Sequence, residues 1–551
     1  YEYWRKWLEH EVLQRYYTRV KKQEKRIKNE EDFEPRSLDS LQMEAQEKVV
    51  EVFDKWFKRL EKRDRMDFLS TYFNVIANVY DPHTNFFEPK DKENFDISMS
   101  GKLEGIGARL RTDGEETTVV SIVPGSPSWK QGDLEPKDVI LEVAQEDKEP
   151  VDLAGMPIDE VVDLIRGEKG TEVRLTIRKL DGEILIIPIV RDVVILEEGF
   201  AKSMMLEKDP YSMKVGYLKL PRFYADFSDR NGKSSAKDVR KELIKLNAEG
   251  AEALIFDLRN NSGGSLRDVV KIAGYFVEEG PIVQVKNRDE EIEVLKDKDR
   301  GEVIWDGPMV VLVNKFSASA SEIFAAAMQD YDRAIIVGAP TTYGKGTVQR
   351  FVDLDRAING FDQFKPLGSV KYTIQNYYRI NGGSTQLKGI ESDIVLPDSW
   401  HFTTTGEKEL DYPIPWTQID KADYDQEVYD IAKIRKKLAK MSASRVEEDK
   451  EFSQILEDAQ RLKEEQEDTQ RPLNVEAFFA MKAEDEKESE KFDKLFSEIE
   501  GLNYYNLKAD EEYLQADSSR IERNKEWQDN IGEDIYLEEA ITILHDMQEM
   551  L

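Results

Sequence analysis

The sequence predicts a multidomain α+β fold on three observations: helical periodicity in charged segments at both ends, short glycine-bounded alternating stretches after them, and a strand–turn–helix rhythm in the middle. At 551 residues the chain is several times the usual domain size. The expected division is a helical domain over 1–95, a β module over 96–195, an α/β core over 196–420 and a second helical domain over 421–551.

From Tyr1 to about Lys62, apolar residues recur at three-to-four spacing (Trp4, Leu8, Val12, Tyr16), which reads as helix. Asp81-Pro82-His83-Thr84-Asn85 breaks that pattern with turn formers. From Ile97 the texture becomes strand-like: Thr117 to Val123, Val139 to Val143, Val173 to Ile177 and Ile184 to Val190. One helix is expected inside the module, opened by Pro157-Ile158-Asp159 and stopped by Gly167.

After Glu198, Ala253 to Phe256 leads through a glycine turn into a helix at Leu266 to Val277. Met309 to Val313 leads through a serine-rich turn into a helix at Ile323 to Met328, and Ala334 to Val337 is a third strand. Active-site groups gather at such strand-to-helix handovers. From Ala422 to Leu551 the pattern is helical and strongly charged, with Glu464 to Asp468 and Glu484 to Glu488 as solvated runs.

The 112 acidic and 79 basic residues leave a net charge of -33, which opposes nucleic-acid backbones and anionic lipids. No apolar run approaches the about 18 residues that span a bilayer, so no membrane span is expected. Cysteine is absent, which excludes thiol catalysis, disulfides and thiolate metal sites. Four scattered histidines (His10, His83, His401, His545) offer no metal-like spacing, and no metal or cofactor is implied. The chain opens at Tyr1 without an initiator Met or a charged-then-apolar leader, so a targeting segment is expected to have been removed or to lie outside it.

Three segments offer chemistry. Ser317-Ala318-Ser319-Ala320-Ser321-Glu322 places hydroxyls and backbone amides at a helix N-terminus, where developing negative charge is favoured. The bland alternative is a capping box from Ser319 to Glu322. Tyr343-Gly344-Lys345-Gly346-Thr347-Val348-Gln349 puts a lysine between two glycines; it fails as a phosphate loop because no Ser or Thr follows Lys345 and the glycine spacing is wrong. Asp257-Leu258-Arg259-Asn260-Asn261-Ser262-Gly263-Gly264 ends a buried strand with two glycines whose amides can approach a ligand oxygen.

In this order the three segments resemble the DLRxNxGG, SASASE and GKGxVQ motifs of the tail-specific, or carboxy-terminal processing, proteases. The resemblance runs from Asp81-Pro82-His83-Thr84 to Gly389-Ile390-Glu391-Ser392-Asp393-Ile394. It implies a crotonase-like protease core in which Ser319 is the nucleophile, Lys345 its general base and Gln349 the residue orienting the lysine, with Asp330 at a supporting acidic position. It also implies oxyanion donors among Gly263, Gly264 and Ala320, with the choice between the two glycines open. The loop Gly338 to Gly344 is one residue longer than the family's GxPTFGK pattern, which puts the placement of Lys345 in question.

The β module resembles the PDZ domains inserted in this family. Leu103-Glu104-Gly105-Ile106-Gly107-Ala108 matches their carboxylate-binding loop, and Leu103, Ile106 and Leu164 would line pockets for apolar tails. The implied partners are protein substrates with apolar C-termini and a helical-repeat adaptor lipoprotein, and the implied compartment is the periplasm. The alternatives are a catalytically silent PDZ scaffold and, with no role for these motifs, an acyl-CoA enzyme on a related core.

Overall fold

The computed structural model describes every residue except 31, 114, 115, 147, 228, 230, 298–302, 425–430, 490, 493–496 and 517. The described chain forms two compact units. The first comprises residues 1–80, 397–404 and 446–497. Its long helices Glu2–Asn29 and Leu38–Lys62 bury Tyr16, Val20, Leu41 and Ala45 against each other. The Ser37 hydroxyl caps the second helix, and Asp64 and Asp67 form a capping box at the third, Arg65–Asn78.

The second unit comprises residues 81–396, 405–445 and 498–551. Its β module is an antiparallel sheet in the order Ala108–Asp113, Glu116–Ile122, Val139–Gln145, Glu172–Arg178, Ile184–Val190, with Val151–Asp152 on Val139–Gln145. Alternate residues, among them Val173, Leu175 and Ile177, fill its core together with Val161 and Ile165 of the helix Ile158–Ile165. The chain enters and leaves the module through the antiparallel pair Lys102–Gly105 and Asp192–Ile195. The strand texture expected from Ile97 begins later, because the helix Pro89–Ser100 runs on to Gly101, whose φ of 67° ends it.

The α/β core is built on a seven-stranded sheet in the order Ile394–Val395, Ile335–Gly338, Met309–Val313, Ala253–Asp257, Val215–Lys219, Lys202–Lys208, Leu502–Tyr505. The first five strands are parallel and the last two pairings antiparallel. Ala253–Asp257 and Met309–Val313 are buried along their whole length, as expected of central parallel strands. Helices Ser235–Ala248, Leu266–Gly274 and Ala320–Asp330 pack on the sheet. A second, antiparallel sheet carries Thr347–Asp353 beside Ser369–Tyr378, which also pairs with Asn85–Phe87 and Pro281–Asn287.

The segment after Ala422 is not helical throughout. Leu502–Tyr505 adds to the open edge of the large sheet along Lys202–Lys208, where an unpaired row of backbone groups supplies the drive. The last helix, Ile535–Met550, is helical as expected and belongs to the core: its Leu537, Ala540, Ile541, Ile543 and Leu544 are fully buried.

Candidate active site

The serine-rich turn joins Met309–Val313 to the helix Ala320–Asp330. Its three serines differ in what their hydroxyls do. Ser317 is fully buried and its Oγ donates to the Leu258 carbonyl at 2.9 Å. Ser321 is fully buried and its Oγ donates to the Asn261 carbonyl at 2.7 Å. Ser319 alone is partly exposed, and its backbone sits at φ 56°, ψ -111°, a region that non-glycine residues enter at a cost of about 1–3 kcal/mol. Such a sharp strand-to-helix turn projects a hydroxyl outward at a helix N-terminus.

The glycine turn lies directly against Ser319. A Cβ added to Gly263 would stand 2.7 Å from the Ser319 Cβ and 3.0 Å from the Ala320 nitrogen. One added to Gly264 would stand 2.1 Å from the Phe223 carbonyl oxygen. The turn is pinned by Asn261, whose Nδ2 donates to the Leu220 carbonyl at 2.7 Å and whose Oδ1 accepts the Gly263 N–H at 2.9 Å. The Gly264 and Ala320 N–H groups make no intramolecular hydrogen bond among the described residues.

Lys345 lies in the loop that leads into Thr347–Asp353. Burial pulls its pKa down to about 8, and the neighbouring charge of Lys371 acts in the same direction, against Glu407, Asp81 and Glu322. Two groups tie its loop to the serine turn. The fully buried Glu322 carboxylate accepts the N–H of Ser319 at 2.7 Å and of Lys345 at 3.0 Å on one oxygen. Its other oxygen accepts the Gly344 N–H and the Thr342 hydroxyl, each at 2.7 Å. The Tyr377 hydroxyl donates to the carbonyls of both Lys345 and Ser319.

The lengthened loop is held rather than loose. The Thr342 N–H donates to the Ile390 carbonyl, and the Ile390 N–H returns a bond to Thr342 Oγ1 at 2.8 Å. Beyond Lys345, Gln386 Oε1 accepts the Gly346 N–H at 2.7 Å and the Thr385 hydroxyl donates to the Lys345 carbonyl at 2.9 Å. Gln386 also donates to Glu407, which pairs with His83 Nε2 at 2.8 Å.

Ser319, Ala320, Gly263, Gly264 and the Lys345 backbone thus converge, while two other residues stand apart. Gln349 donates its amide to Thr347 and Thr373, at 2.9 and 3.1 Å, with no hydrogen bond to Lys345 among the described residues. Asp330 ends the helix that Ser319 begins and pairs with Arg379 and Asn381. Sequence reasoning saw Glu322 only as a cap, named Asn261 within the glycine-turn motif without a role, and missed Tyr377 altogether. The S-x-x-E spacing was the one available signal for Glu322.

In the β module, Gly107 has a φ of 77°, and a Cβ there would meet Ser126 at 2.2 Å. The N–H groups of Ile106 and Gly107 make no intramolecular hydrogen bond among the described residues. Gly105 is paired with Asp192. The Ile106 side chain, 2 % exposed, fills the core, whereas Leu164 is partly buried on the helix Ile158–Ile165. Leu103 borders a 690 Å³ cavity together with Lys102 and Phe227.

Four family models match the chain in sequence order. They are the tail specific protease N-terminal domain over 1–90, the PDZ domain over 95–178, peptidase family S41 over 214–396 and the C-terminal domain of tail specific protease over 401–549. Residues 214–396 therefore carry a peptidase family S41 domain. It is 40% identical over 382 residues to the tail-specific protease of Haemophilus influenzae, an alignment that takes in 69% of this chain and 53% of that one. The chain thus spans about half the length of that relative. The carboxy-terminal processing protease CtpA of Bacillus subtilis is 30% identical over 327 residues, 59% of this chain and 63% of that one.

Among solved structures, the photosystem II D1 C-terminal processing protease aligns over 62% of this chain and 86% of that one, at 25% identity and a TM-score of 0.33. The PDZ domain of a Vibrio cholerae carboxy-terminal protease, solved in complex with peptide, aligns over 17% of this chain and 97% of that one, at 38% identity and a TM-score of 0.17. The chain has the mixed α+β fold with an S41 core and a PDZ domain that its sequence led us to expect. No helix among the described residues is long and apolar enough to cross a membrane.

Proposed function

We propose that this chain is a serine endopeptidase that captures apolar C-terminal tails in its PDZ domain and cuts the backbone with Ser319 and Lys345. The observation that carries the reading is that the Ser319 hydroxyl accepts the Glu322 N–H in a capping box but donates to no group among the described residues, against the donating hydroxyls of Ser317 and Ser321, at a strained turn tied to Lys345 through Glu322. Serine attacks a carbonyl only when a neighbour removes its proton, and a lysine does so only when neutral. The depressed pKa of Lys345 supports that role at mildly alkaline pH.

In the proposed cycle Lys345 Nζ takes the Ser319 Oγ proton as Oγ bonds to the scissile carbonyl carbon. The amide N–H groups of Gly264 and Ala320 receive the oxyanion, since the Gly263 N–H is already given to Asn261. Lys345 then protonates the leaving amine, and the acyl-enzyme is hydrolysed by a water that Lys345 deprotonates. Gln349 and Asp330 act as positioning residues for the lysine loop. The tail carboxylate is taken by the Ile106 and Gly107 amides, with Leu103, Gly105 and Leu164 around the last side chains.

Resemblance supports a periplasmic setting and a helical-repeat adaptor lipoprotein as partner. The test is degradation of an unstructured reporter ending in Leu-Ala-Ala by the parent, Ser319→Ala and Lys345→Ala. Loss of cleavage in both variants is expected. A parent that binds the reporter tightly without cutting it would make the chain a PDZ scaffold.

A further inference from the structure

Asp257 and Arg259 open the glycine-turn motif, yet neither takes part in the proposed chemistry. Both are engaged in a buried network that reaches the far end of the chain. Arg259 Nε and Nη2 donate to Asp257 at 3.0 and 2.7 Å, and Nη1 and Nη2 donate to the two carboxylate oxygens of Asp534 at 3.1 and 2.6 Å. The Tyr217 hydroxyl donates to Asp257 at 2.7 Å, and the Tyr536 ring lies 5.5 Å from the guanidinium. Burial works against the charge on Arg259, but the two carboxylates outweigh it and hold its pKa well above the usual value.

Asp534 is also the N-cap of the last helix, accepting the Tyr536 N–H at 3.1 Å. It therefore fixes the start of Ile535–Met550 and the base of the glycine turn with one carboxylate. The next residue of the turn, Asn260, has a φ of 63° and exchanges hydrogen bonds with Asn314, at 2.9 Å in each direction. Asn261 follows with its own two anchors. Arg259 is thus the first of three successive anchored residues leading to Gly263 and Gly264. It is the only one of the three whose partner comes from beyond residue 500.

We infer that Asp534 is a positioning residue: through Arg259 it sets the height of the glycine turn against Ser319, so that the last helix is part of the catalytic frame. An arginine held by a single carboxylate can swing about that contact, whereas two carboxylates gripping its fork from different elements leave one orientation. Losing Asp534 frees the turn at its entrance while Asn261 still holds its exit. The oxyanion amides then lose alignment without any loss of substrate contacts.

Only the kinetic arm of the test rests on the peptidase reading. Hydrogen exchange of the peptide covering 258–265 is measured in the full chain for Asp534→Asn, Arg259→Lys and Arg445→Met, beside kcat and KM. Asparagine keeps the helix cap, so Asp534→Asn removes the charge and little else. Arg445 pairs with Glu539 and Asp546 further along the same helix, so Arg445→Met weakens that helix without touching the turn.

Exchange in the turn about tenfold faster in Asp534→Asn and Arg259→Lys, with kcat down about 10–100-fold and KM within about twofold, is the expected result. Arg445→Met should leave turn exchange at the parent rate. Parent-like exchange in Asp534→Asn, or equal acceleration in Arg445→Met, overturns the inference. A parent that does not cleave overturns the peptidase reading, and the exchange arm still decides the role of Asp534. Should Asp534→Asn not fold, Arg259→Lys carries the same comparison.

Discussion

Glu322 accepts the backbone N–H of Lys345 at 3.0 Å, across 23 residues of sequence. Because the same oxygen holds Ser319, this carboxylate sets the spacing of the two motifs together with the Tyr377 hydroxyl. Replacing it with an amide turns an acceptor into a donor facing two N–H groups. Glu322→Gln is expected to lower kcat about 100-fold with little change in KM, as steady-state kinetics would show.

Burial pushes the pKa of Glu322 up to about 7. The folded chain therefore binds this proton more tightly than the unfolded one, and the associated stability is complete below about pH 4.5 and lost as pH rises through about 7. Thermal melts across that window should show a falling contribution in the parent that is absent in Glu322→Gln.

Lys345 shifts the other way. With its pKa pulled down to about 8, the acid limb of the kcat/KM profile should rise to a plateau above about pH 8. Lys371→Met removes a neighbouring cation, so the limb should move to higher pH and activity at pH 7 should fall. An unmoved limb would show that Lys371 does not tune the base. The unfolded chain binds more protons at Lys345 between about pH 8 and 10.5, so this residue's share of stability grows across that interval and declines as pH falls back through 8.

Gly263 is constrained twice, by a φ of 101° and by Ser319 at 2.7 Å from the space a Cβ would fill. Gly263→Ala should abolish cleavage and cost more than about 2 kcal/mol of stability by denaturant melt. Gly125→Ala supplies the comparison, since its φ is 72° but nothing lies within 4 Å of the added carbon. It should cost only about 1 kcal/mol and leave kcat unchanged.

The sequence made the elements carrying Ser319 and Lys345 readable because continuous apolar runs such as Met309–Val313 mark buried strands, and small-residue turns follow them. The residues that join those elements were not readable. Tyr377 reaches the carbonyls of residues 32 and 58 positions earlier, and no local pattern reports such a meeting. The strand Leu502–Tyr505 was hidden for the same reason, since its partner Lys202–Lys208 lies about 300 residues away and the flanks are charged helix formers. The overrun at Ile97 was avoidable: Pro89 and Gly101 are ordinary start and stop signals for the helix between them.

The role proposed for Asp330 is indirect. Eleven residues of helix put it roughly 16 Å from Ser319. It pairs with Arg379 and accepts from Asn381, and the turn it steadies runs into Thr385 and Gln386, which hold the Lys345 loop. Asp330→Ala should reduce kcat about 10–100-fold without raising KM, and Asp330→Asn, which keeps one acceptor for Asn381, should lose less. Equal losses in both variants would point to the Arg379 charge alone.

A substitution at Leu164 tests the proposed tail recognition separately from catalysis. Ile106 is too deep in the PDZ core to test recognition, because a polar residue there would unfold the domain. Leu164 is partly buried and stands on the helix that would flank an added strand at Ala108–Asp113. A carboxylate at this position repels the incoming terminus and removes apolar contact, so Leu164→Asp should raise KM for an apolar-tailed reporter about tenfold or more. Amidating the reporter's terminus should cost a similar factor in the parent and little further in the variant, since both changes act on one encounter. Cleavage of a short unstructured peptide without an apolar tail should proceed at the parent rate; if it falls equally, Leu164 supports the fold and not the tail.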